Sequence, residues 1–255
     1  MLQIIEQNHF YYYALMTWVG LAIVTCLVLL VFKPSTYGRH SNISRLSIDN
    51  KFGWFIMELP TVLFMPYFLF KDLTEYNVVI LCFFGLYMIH YFNRVFIFPL
   101  RLNTQGKKIS ILIVCSAILF NICNTYFIGY YFSQTTELYD LDWFLSPYFI
   151  IGSILFLTGA YINHQSDTIL INLRKESENG YKIPYGGFFR YVSCPNHLGE
   201  IIEWIGFAIL TCSLPTLIFS LWTIANLLPR SIQHHYWYKQ EFLNYPQNRK
   251  AILPY

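Results

Sequence analysis

Long apolar segments alternate with short polar stretches along almost the whole chain. A run of about 20 apolar residues is long enough for a helix to cross the hydrocarbon core of a bilayer. The pattern predicts seven transmembrane helices, at residues 11–32, 54–70, 78–100, 109–132, 144–172, 197–212 and 215–229. Because Pro60 and Pro66 lie inside the second segment, we expect a kinked or irregular helix there. We therefore predict an all-α integral membrane bundle, with residues 1–255 as one domain.

The charges of the connecting segments indicate the orientation of this bundle. Basic residues dominate segments 33–53, 101–108 and 173–196 and the tail from residue 230, whereas segments 71–77 and 133–143 are not basic. Since cytoplasmic loops carry an excess of Lys and Arg, the alternation predicts an outside N-terminus and a cytosolic C-terminus. No basic stretch or small-residue cleavage site accompanies the first segment, so we expect it to be a retained span.

The composition supports a membrane protein and excludes several other classes. Charged residues make up 12% of the chain, about half of the usual fraction in a soluble domain. The net charge of +3 is too small to suggest a nucleic-acid partner. The six cysteines lie mostly in apolar segments without CxxC spacing, so we interpret them as buried apolar side chains. The histidines lack the repeated spacings of membrane di-iron oxygenases, and we expect no metal.

Ionisable side chains inside membrane spans are costly, so each one is a candidate functional residue. Asn196, Glu200 and Glu203 occupy positions i, i+4 and i+7 of the sixth segment and share one helix face. A helix start that caps itself with acidic groups behind Pro195 is the structural alternative. It explains Glu203 less well, because that residue lies a turn deeper.

Two further sets of polar residues also recur at intervals that place each set on one helix face. They consist of Arg230, His234 and Tyr238 after the last apolar segment, and of Asn163, Asp167 and Arg174 at the end of the fifth. An aromatic helix end that anchors the chain at the membrane interface is the alternative for the first face. An Asp–Arg surface pair with a cap is the alternative for the second.

A fourth polar group lies earlier in the chain. Glu58 precedes Pro60 in the second segment, and Tyr91 and Arg94 lie towards the end of the third. A purely structural carboxyl group, bound to backbone N–H groups near the proline, is the alternative for Glu58. Taken together, the four groups predict an intramembrane pocket that opens to the cytosol.

This pocket is expected to have a cationic part and an apolar part. Its cations are Arg94, Lys107, Arg174, Arg230 and Arg249. Guanidinium groups match phosphate oxygens, so we expect a phosphate-bearing ligand. Glu58 and Tyr91 in apolar walls suit a hydrophobic substrate with one polar group. Neither GxGxxG nor GxxxxGK[ST] occurs, which excludes a Rossmann nucleotide domain and a P-loop.

Several stretches resemble the steroid 5α-reductase family. "YVSCPNHLGEIIEWIGFA" (191–208) and "HHYWYKQEFLNYPQNRKAILPY" (234–255) are the most specific, and "KPSTYGRH" (33–40), "HYFNRVF" (90–96) and "YKIPYGGFF" (181–189) follow the family's order. The resemblance implies an oxidoreductase that uses NADPH to reduce the C4–C5 double bond of a lipophilic 3-oxo-Δ4 steroid. It also implies that the cofactor is held inside the helical bundle. We expect a monomer in the bilayer of the bacterial inner membrane or of the endoplasmic reticulum.

The resemblance also implies roles for individual residues. Residues 11–100 would face the substrate, with Glu58 and Tyr91 at its C3 carbonyl, and residues 109–255 would mainly bind the cofactor. The cofactor site would comprise Asn163, Asp167, Arg174, Tyr181, Asn196, Glu200, Arg230, His234, Tyr238 and Arg249, together with the cations Arg94 and Lys107. Lys107 replaces the Arg expected there, Met57 replaces a Gln common in animal members, and residues 163–167 differ at their centre.

Two other functions fit the same polar faces less well. A methyltransferase of the isoprenylcysteine type would bind S-adenosylmethionine in a similar intramembrane pocket, but that ligand needs fewer cations. A seven-span receptor or sterol-binding protein would not need polar faces concentrated towards the cytosol.

Overall fold

The computed structural model describes residues 9–31, 46–71, 75–104, 106–175 and 181–253. The "KPSTYGRH" stretch (33–40) and most of the basic segment around it lie outside the described residues. The chain divides into two compact units, Met1–Leu15 with Ser35–Ser146 and Met16–Pro34 with Pro147–Tyr255. Helix α1 (His9–Val31) contributes residues to both units, and we describe each unit by itself.

The first unit is built mainly from α2 (Asn50–Phe70), α3 (Val78–Phe92) and α5 (Ile111–Gln134), with the short α4 (Phe98–Arg101) between them. Asp49 caps α2 by accepting bonds from the N–H groups of Lys51 and Phe52, and Asn77 caps α3 in the same way. Helix α2 continues without interruption through both of its prolines, although we expected an irregular segment there.

A five-residue π-helix, Asn93–Ile97, connects α3 to α4. Pro99 lies two residues beyond its end and has no N–H with which to continue an α-helical ladder. The N–H of Phe98 accordingly bonds to the carbonyl of Asn93, five residues earlier. Such π-helical turns are frequent at functional sites, and this one carries Arg94.

The structure also contains a small sheet that the all-α prediction missed. Strand β1 (Ser47–Asp49) pairs antiparallel with β2 (Lys108–Ser110), with Ile48 opposite Ile109. Ile109 packs with Met57 and Val114 in a buried cluster. Three-residue strands have too little sequence to show an alternating pattern, so the error has a simple origin.

The second unit contains α6 (Pro147–Lys175), α7 (Pro195–Thr211) and α8 (Leu214–Glu241). Residues of α1 also belong to it, since Trp222 Nε1 donates to the carbonyl of Trp18 at 3.0 Å. Helix α8 passes through Pro229 and ends at Glu241, well beyond the predicted end at residue 229. The polar face of residues 230–238 therefore lies on the same helix as the apolar segment before it.

Glycines bring α6 and α7 unusually close together. Gly152 and Gly159 on α6 face Gly206 and Gly199 on α7, and each pair is seven residues apart. A Cβ atom added to Gly199 would lie 2.7 Å from the carbonyl oxygen of Gly159, where no real Cβ fits. Small residues at a helix–helix contact let the two backbones approach closely.

The helices account for most of the described chain, and each predicted span overlaps one of them. Four stretches are long and apolar enough to cross a membrane, namely His9–Val31, Asn50–Phe70, Val78–Arg101 and Ile111–Gln134. These four candidate spans agree with the predicted segments 11–32, 54–70, 78–100 and 109–132. Seven spans, and the orientation of the termini, stay predictions.

Candidate functional site

In the first unit, Glu58 and Tyr91 belong to one polar cluster among apolar helices. Asn121 on α5 donates from Nδ2 to Glu58 Oε2 at 3.3 Å and to the carbonyl of Met57 at 2.6 Å. The rings of Tyr87 and Tyr91 lie 4.5 Å apart, and Tyr87 is within electrostatic reach of both Glu58 and Tyr91. The structure therefore brings together the carboxyl and phenol groups that the sequence analysis paired.

Two members of this cluster were missed by the sequence analysis. Tyr87 is fully buried and lies one helical turn before Tyr91, and this spacing was the available signal. Asn121 is 4% exposed, and an amide in the apolar run of α5 was a weaker signal, since Asn124 follows it in the same helix. Its bond to Oε2 fixes the orientation of the Glu58 carboxyl group.

The cations of the first unit are placed differently from each other. The guanidinium of Arg94 lies 5.2 Å from the ring of Trp54 and 4.8 Å from that of Phe98. Such cation–π contacts hold a guanidinium in a defined position. Lys107 is exposed in the turn before β2, and its carbonyl accepts a bond from Asn50.

In the second unit, the close approach of α6 and α7 connects two predicted site residues. Asn163 Nδ2 donates to the carbonyl of Asn196 at 3.0 Å. Asp167 lies one turn further along α6 and is buried, whereas Arg174 is exposed. These exposures do not support an Asp–Arg surface pair as the role of this face.

The carboxyl groups of α7 are not helix caps. Cys194 is the N-cap residue, its side chain makes no capping hydrogen bond, and the first turn contains no acidic residue. Glu200 is half-buried in the second turn, and Glu203 is 2% exposed one turn deeper. The self-capping alternative is therefore wrong.

The polar face of α8 packs against aromatic and histidine side chains. The rings of His234 and His197 lie 5.9 Å apart, and His197 Nδ1 is 2.8 Å from Ser231 Oγ. Tyr238 is buried and stacks on Tyr245, with 5.2 Å between centroids and 12° between planes. This arrangement is more buried than a side-chain belt at a membrane interface would be.

The loop before α7 is held against α8 by another ring contact. The ring of Tyr181 meets that of Trp237 edge-on at 5.2 Å. Gly186 and Gly187 follow in this loop with positive φ angles of 92° and 47°, which favour glycine.

Arg249 is a buried cation of the second unit. It is 2% exposed, donates from Nη1 to the carbonyl of Pro184 at 3.2 Å, and lies against the rings of Tyr185 and Tyr245. None of the partners that the described part of the chain offers to this guanidinium is a carboxylate. A buried charge without a counter-charge is costly, so the geometry suits an anionic ligand.

Asn226 extends the polar face of α8 and was missed by the sequence analysis. It lies one turn before Arg230, and its buried Oδ1 has no hydrogen-bond partner among the described residues. The contacts His197–Ser231 and Trp204–Phe219 set the register of the α7–α8 hairpin. By that register, Asn226 is about level with Glu200. The i, i+4 spacing to Arg230 was the signal.

The sequence-predicted residues divide between the two units. The first contains Glu58, Tyr91, Arg94 and Lys107, and the second contains Asn163, Asp167, Arg174, Tyr181, Asn196, Glu200, Arg230, His234, Tyr238 and Arg249. Both residues predicted for the substrate therefore fall in one unit, and most residues predicted for the cofactor fall in the other.

Comparisons with known proteins give a consistent result. The family model described as 3-oxo-5-alpha-steroid 4-dehydrogenase matches residues 107–255. Steroid 5-alpha-reductase DET2 of Arabidopsis thaliana is 40% identical over 260 residues, covering 98% of each chain. The 3-oxo-5-alpha-steroid 4-dehydrogenase 1 of Rattus norvegicus is 39% identical over 227 residues, covering 87% of this chain and 86% of its own. The protein of that name from Homo sapiens is 39% identical over 228 residues, with the same coverage.

Proposed function

Since this chain belongs to the 3-oxo-5-alpha-steroid 4-dehydrogenase family, we propose that it reduces the C4–C5 double bond of 3-oxo-Δ4 steroids with NADPH. The observation that carries the proposal is the cluster of Glu58, Tyr87, Tyr91 and Asn121 among apolar helices. Such a cluster suits a hydrophobic substrate with a single polar group, which in this steroid class is the C3 carbonyl.

The residues of the second unit fit a phosphate-bearing dinucleotide. Arg249 is a buried guanidinium without a carboxylate partner in the described chain, and Asn226 offers a buried amide oxygen that could accept a hydrogen bond. In this proposal Arg174, Arg230 and Arg249 bind phosphate groups, and Asn163, Asn196 and Glu200 bind the nicotinamide or a ribose. Asp167, Tyr181, His234 and Tyr238 complete the cofactor site. Arg94 and Lys107, which belong to the first unit, stay predictions as cofactor ligands.

The role of the first unit is to stabilise charge on the steroid. A bound NADPH would supply the hydride that is added to C5, and negative charge then develops on the C3 oxygen. Tyr91 O–H and a protonated Glu58 donate hydrogen bonds to that oxygen. This role requires Glu58 to be protonated. C4 takes its proton from solvent or from Tyr91.

The Asn121 amide indicates which oxygen of the Glu58 carboxyl group carries the proton. The Asn121 amide donates to Oε2, so this oxygen is an acceptor and the proton belongs on Oε1. Oε1 is then the oxygen that donates to the substrate. Donors aimed at developing charge are worth more in the transition state than in the ground state, which is the requirement for catalysis.

We also propose that all seven long helices cross the bilayer, with the N-terminus outside, the C-terminus cytosolic and a monomer as the working unit. The lipid phase would then deliver the steroid, and the cytosol would deliver the cofactor.

The test uses the full chain purified in detergent. NADPH and a 3-oxo-Δ4 steroid are added, and nicotinamide absorbance is followed together with the steroid product. We expect oxidation of NADPH in proportion to 5α-reduced 3-oxo steroid. A steroid without the Δ4 bond and a Glu58→Gln variant serve as controls. No steroid-dependent oxidation with the wild-type protein, or full turnover by Glu58→Gln across the pH range, would contradict the function or the assigned role.

A further inference from the structure

The C-terminal tail, residues 242–253, is bound to the segment before α7 by a set of backbone bonds. The N–H of Ser193 donates to the carbonyl of Lys250 at 2.8 Å, and the N–H of Lys250 donates to that of Tyr191 at 3.0 Å. The N–H of Cys194 donates to the carbonyl of Ala251 at 3.3 Å. The tail therefore adds a short parallel pairing to the entrance of α7, which carries Asn196 and Glu200.

Four side chains form a buried connection beneath this pairing, and we call them the Ser193 hub: Ser193, His235, Tyr245 and Arg249. Ser193 Oγ lies 2.7 Å from His235 Nδ1 and 2.6 Å from the Tyr245 hydroxyl. Arg249 Nη1 is 3.5 Å from the same hydroxyl. All four side chains are less than a tenth exposed. The hub joins α8, the tail and the start of α7, and of its four members only Arg249 has a role in the proposed function.

The donor and acceptor capacity of each group limits how the hydrogen bonds of the hub can run. Arg249 can only donate, so the Tyr245 oxygen accepts from Nη1, and the Tyr245 proton is free to go to Ser193. Ser193 Oγ accepts that proton and has two further partners, His235 Nδ1 at 2.7 Å and the Lys250 carbonyl at 3.0 Å. Its own proton goes to one of these two, so the hydrogen bonds connect the buried cation with both His235 and the backbone of the tail. Hydrogen bonds that are linked through hydroxyl groups polarise and strengthen one another.

The hub fixes two groups of the proposed cofactor site. Tyr245 stacks on Tyr238 with its ring and reaches Arg249 with its hydroxyl. If the hydroxyl is released, the Arg249 guanidinium keeps the Pro184 carbonyl and the ring contacts but loses its fourth constraint. A long side chain with fewer contacts is more mobile before the ligand binds. It binds phosphate more weakly, because binding must then also pay the entropic cost of ordering the side chain.

We propose that Ser193 and Tyr245 are positioning residues, which lock the tail through the Ser193 hub and thereby hold Arg249 ready for a cofactor phosphate. The proposal rests on the proposed use of NADPH. Neither residue touches the reacting atoms, so their loss should weaken cofactor binding and leave the chemical step intact.

Two variants test this with minimal disturbance. Tyr245→Phe removes only the hydroxyl and keeps the ring stack, and Ser193→Ala removes only Oγ. We expect each to raise the NADPH Kd and KM about three- to tenfold, the value of one net hydrogen bond, with kcat within about twofold. The double variant should lose little more than either single one, because both break the same chain. Hydrogen–deuterium exchange of residues 242–253 should rise in all three.

Thr211→Val is the matched control. Thr211 is a fully buried hydroxyl of the same α7 helix and belongs to a separate cluster with Ser213 and Thr216. Its loss should lower thermal stability without changing the NADPH Kd or the exchange of the tail.

The outcomes separate the hub from the proposed function. If hydrogen–deuterium exchange of residues 242–253 in Ser193→Ala and Tyr245→Phe equalled that of the wild-type protein, the hub would not hold the tail, and the proposal would be overturned. A loosened tail with unchanged NADPH Kd, in a protein that binds NADPH, would overturn the positioning role. If wild-type protein bound no NADPH, the proposed function and the positioning role would both fail, although a loosened tail would still support the hub's hold on Arg249.

Discussion

The glycine contact between α6 and α7 allows a quantitative prediction for Gly199→Ala. The added Cβ would lie 2.7 Å from the carbonyl oxygen of Gly159 and 2.9 Å from the Cα of Asn163, both of them rigid backbone atoms. Ordinary contact begins at 3.4 Å, and the backbone N of Asn163 lies closer still to the added Cβ, so the helices must separate by at least about 0.7 Å. That shift would lengthen the 3.0 Å bond from Asn163 to Asn196 to about 3.7 Å or more, which is no longer a hydrogen bond.

Overpacking of a close-packed interface costs about 1–3 kcal/mol, and the lost hydrogen bond adds about 1 kcal/mol. We therefore expect Gly199→Ala to lower the melting temperature in detergent by several degrees and to weaken NADPH binding. Tryptophan fluorescence during heating, with and without NADPH, measures both effects. Gly20→Ala is the control, because Gly20 is also helical and its added Cβ would meet nothing within 4 Å. Equal melting temperatures for the two variants would refute the close approach of α6 and α7.

Three further predictions concern single side chains. Tyr91→Phe removes one donor to the C3 oxygen, so kcat should fall about 10²–10³-fold while the NADPH Kd stays constant, as steady-state kinetics and binding assays would show. Arg249→Lys keeps the charge but loses the planar fork, and we expect about a tenfold higher NADPH KM; an unchanged value would remove Arg249 from the cofactor site. Burial, and then the positive charges of Lys239, Arg249 and Lys250, lower the pKa of His235 below its ordinary value. The unfolded chain therefore binds the extra proton first as the pH falls below about 6.5, and stability should decrease there. Melting temperatures between about pH 7.5 and pH 5 would measure this decrease, and His235→Asn should flatten it.

The sequence predicted the helices well because their signal is strong and local. A continuous apolar run is visible without knowledge of the fold, and the described helices overlap every predicted segment. The predicted span 215–229 covers only the apolar part of α8, because apolar character ends there while the helix continues to Glu241. The π-helix at Asn93–Ile97 could have been suspected from Pro99, but its exact register depends on packing.

The candidate site was predicted in part, and the reason lies in periodicity. Faces such as Asn196–Glu200–Glu203 follow from helical spacing alone. Asn121 and Ser193 belong to clusters that connect residues far apart in the chain, and no local pattern indicates such partners. The glycines of α6 and α7 did carry a signal, because both pairs are seven residues apart, and it was overlooked.

The same glycines explain how polar faces can be buried in this unit. A buried amide or carboxyl group must find partners, and in an apolar bundle side chains offer few of them. When Gly159 and Gly199 bring two helix backbones into contact, the carbonyl of Asn196 comes within reach of Asn163. Larger residues at the glycine positions would separate the helices and leave that amide without its acceptor. The close helix pair is therefore a physical requirement for a site built from helix faces, in a chain without a glycine-rich nucleotide loop.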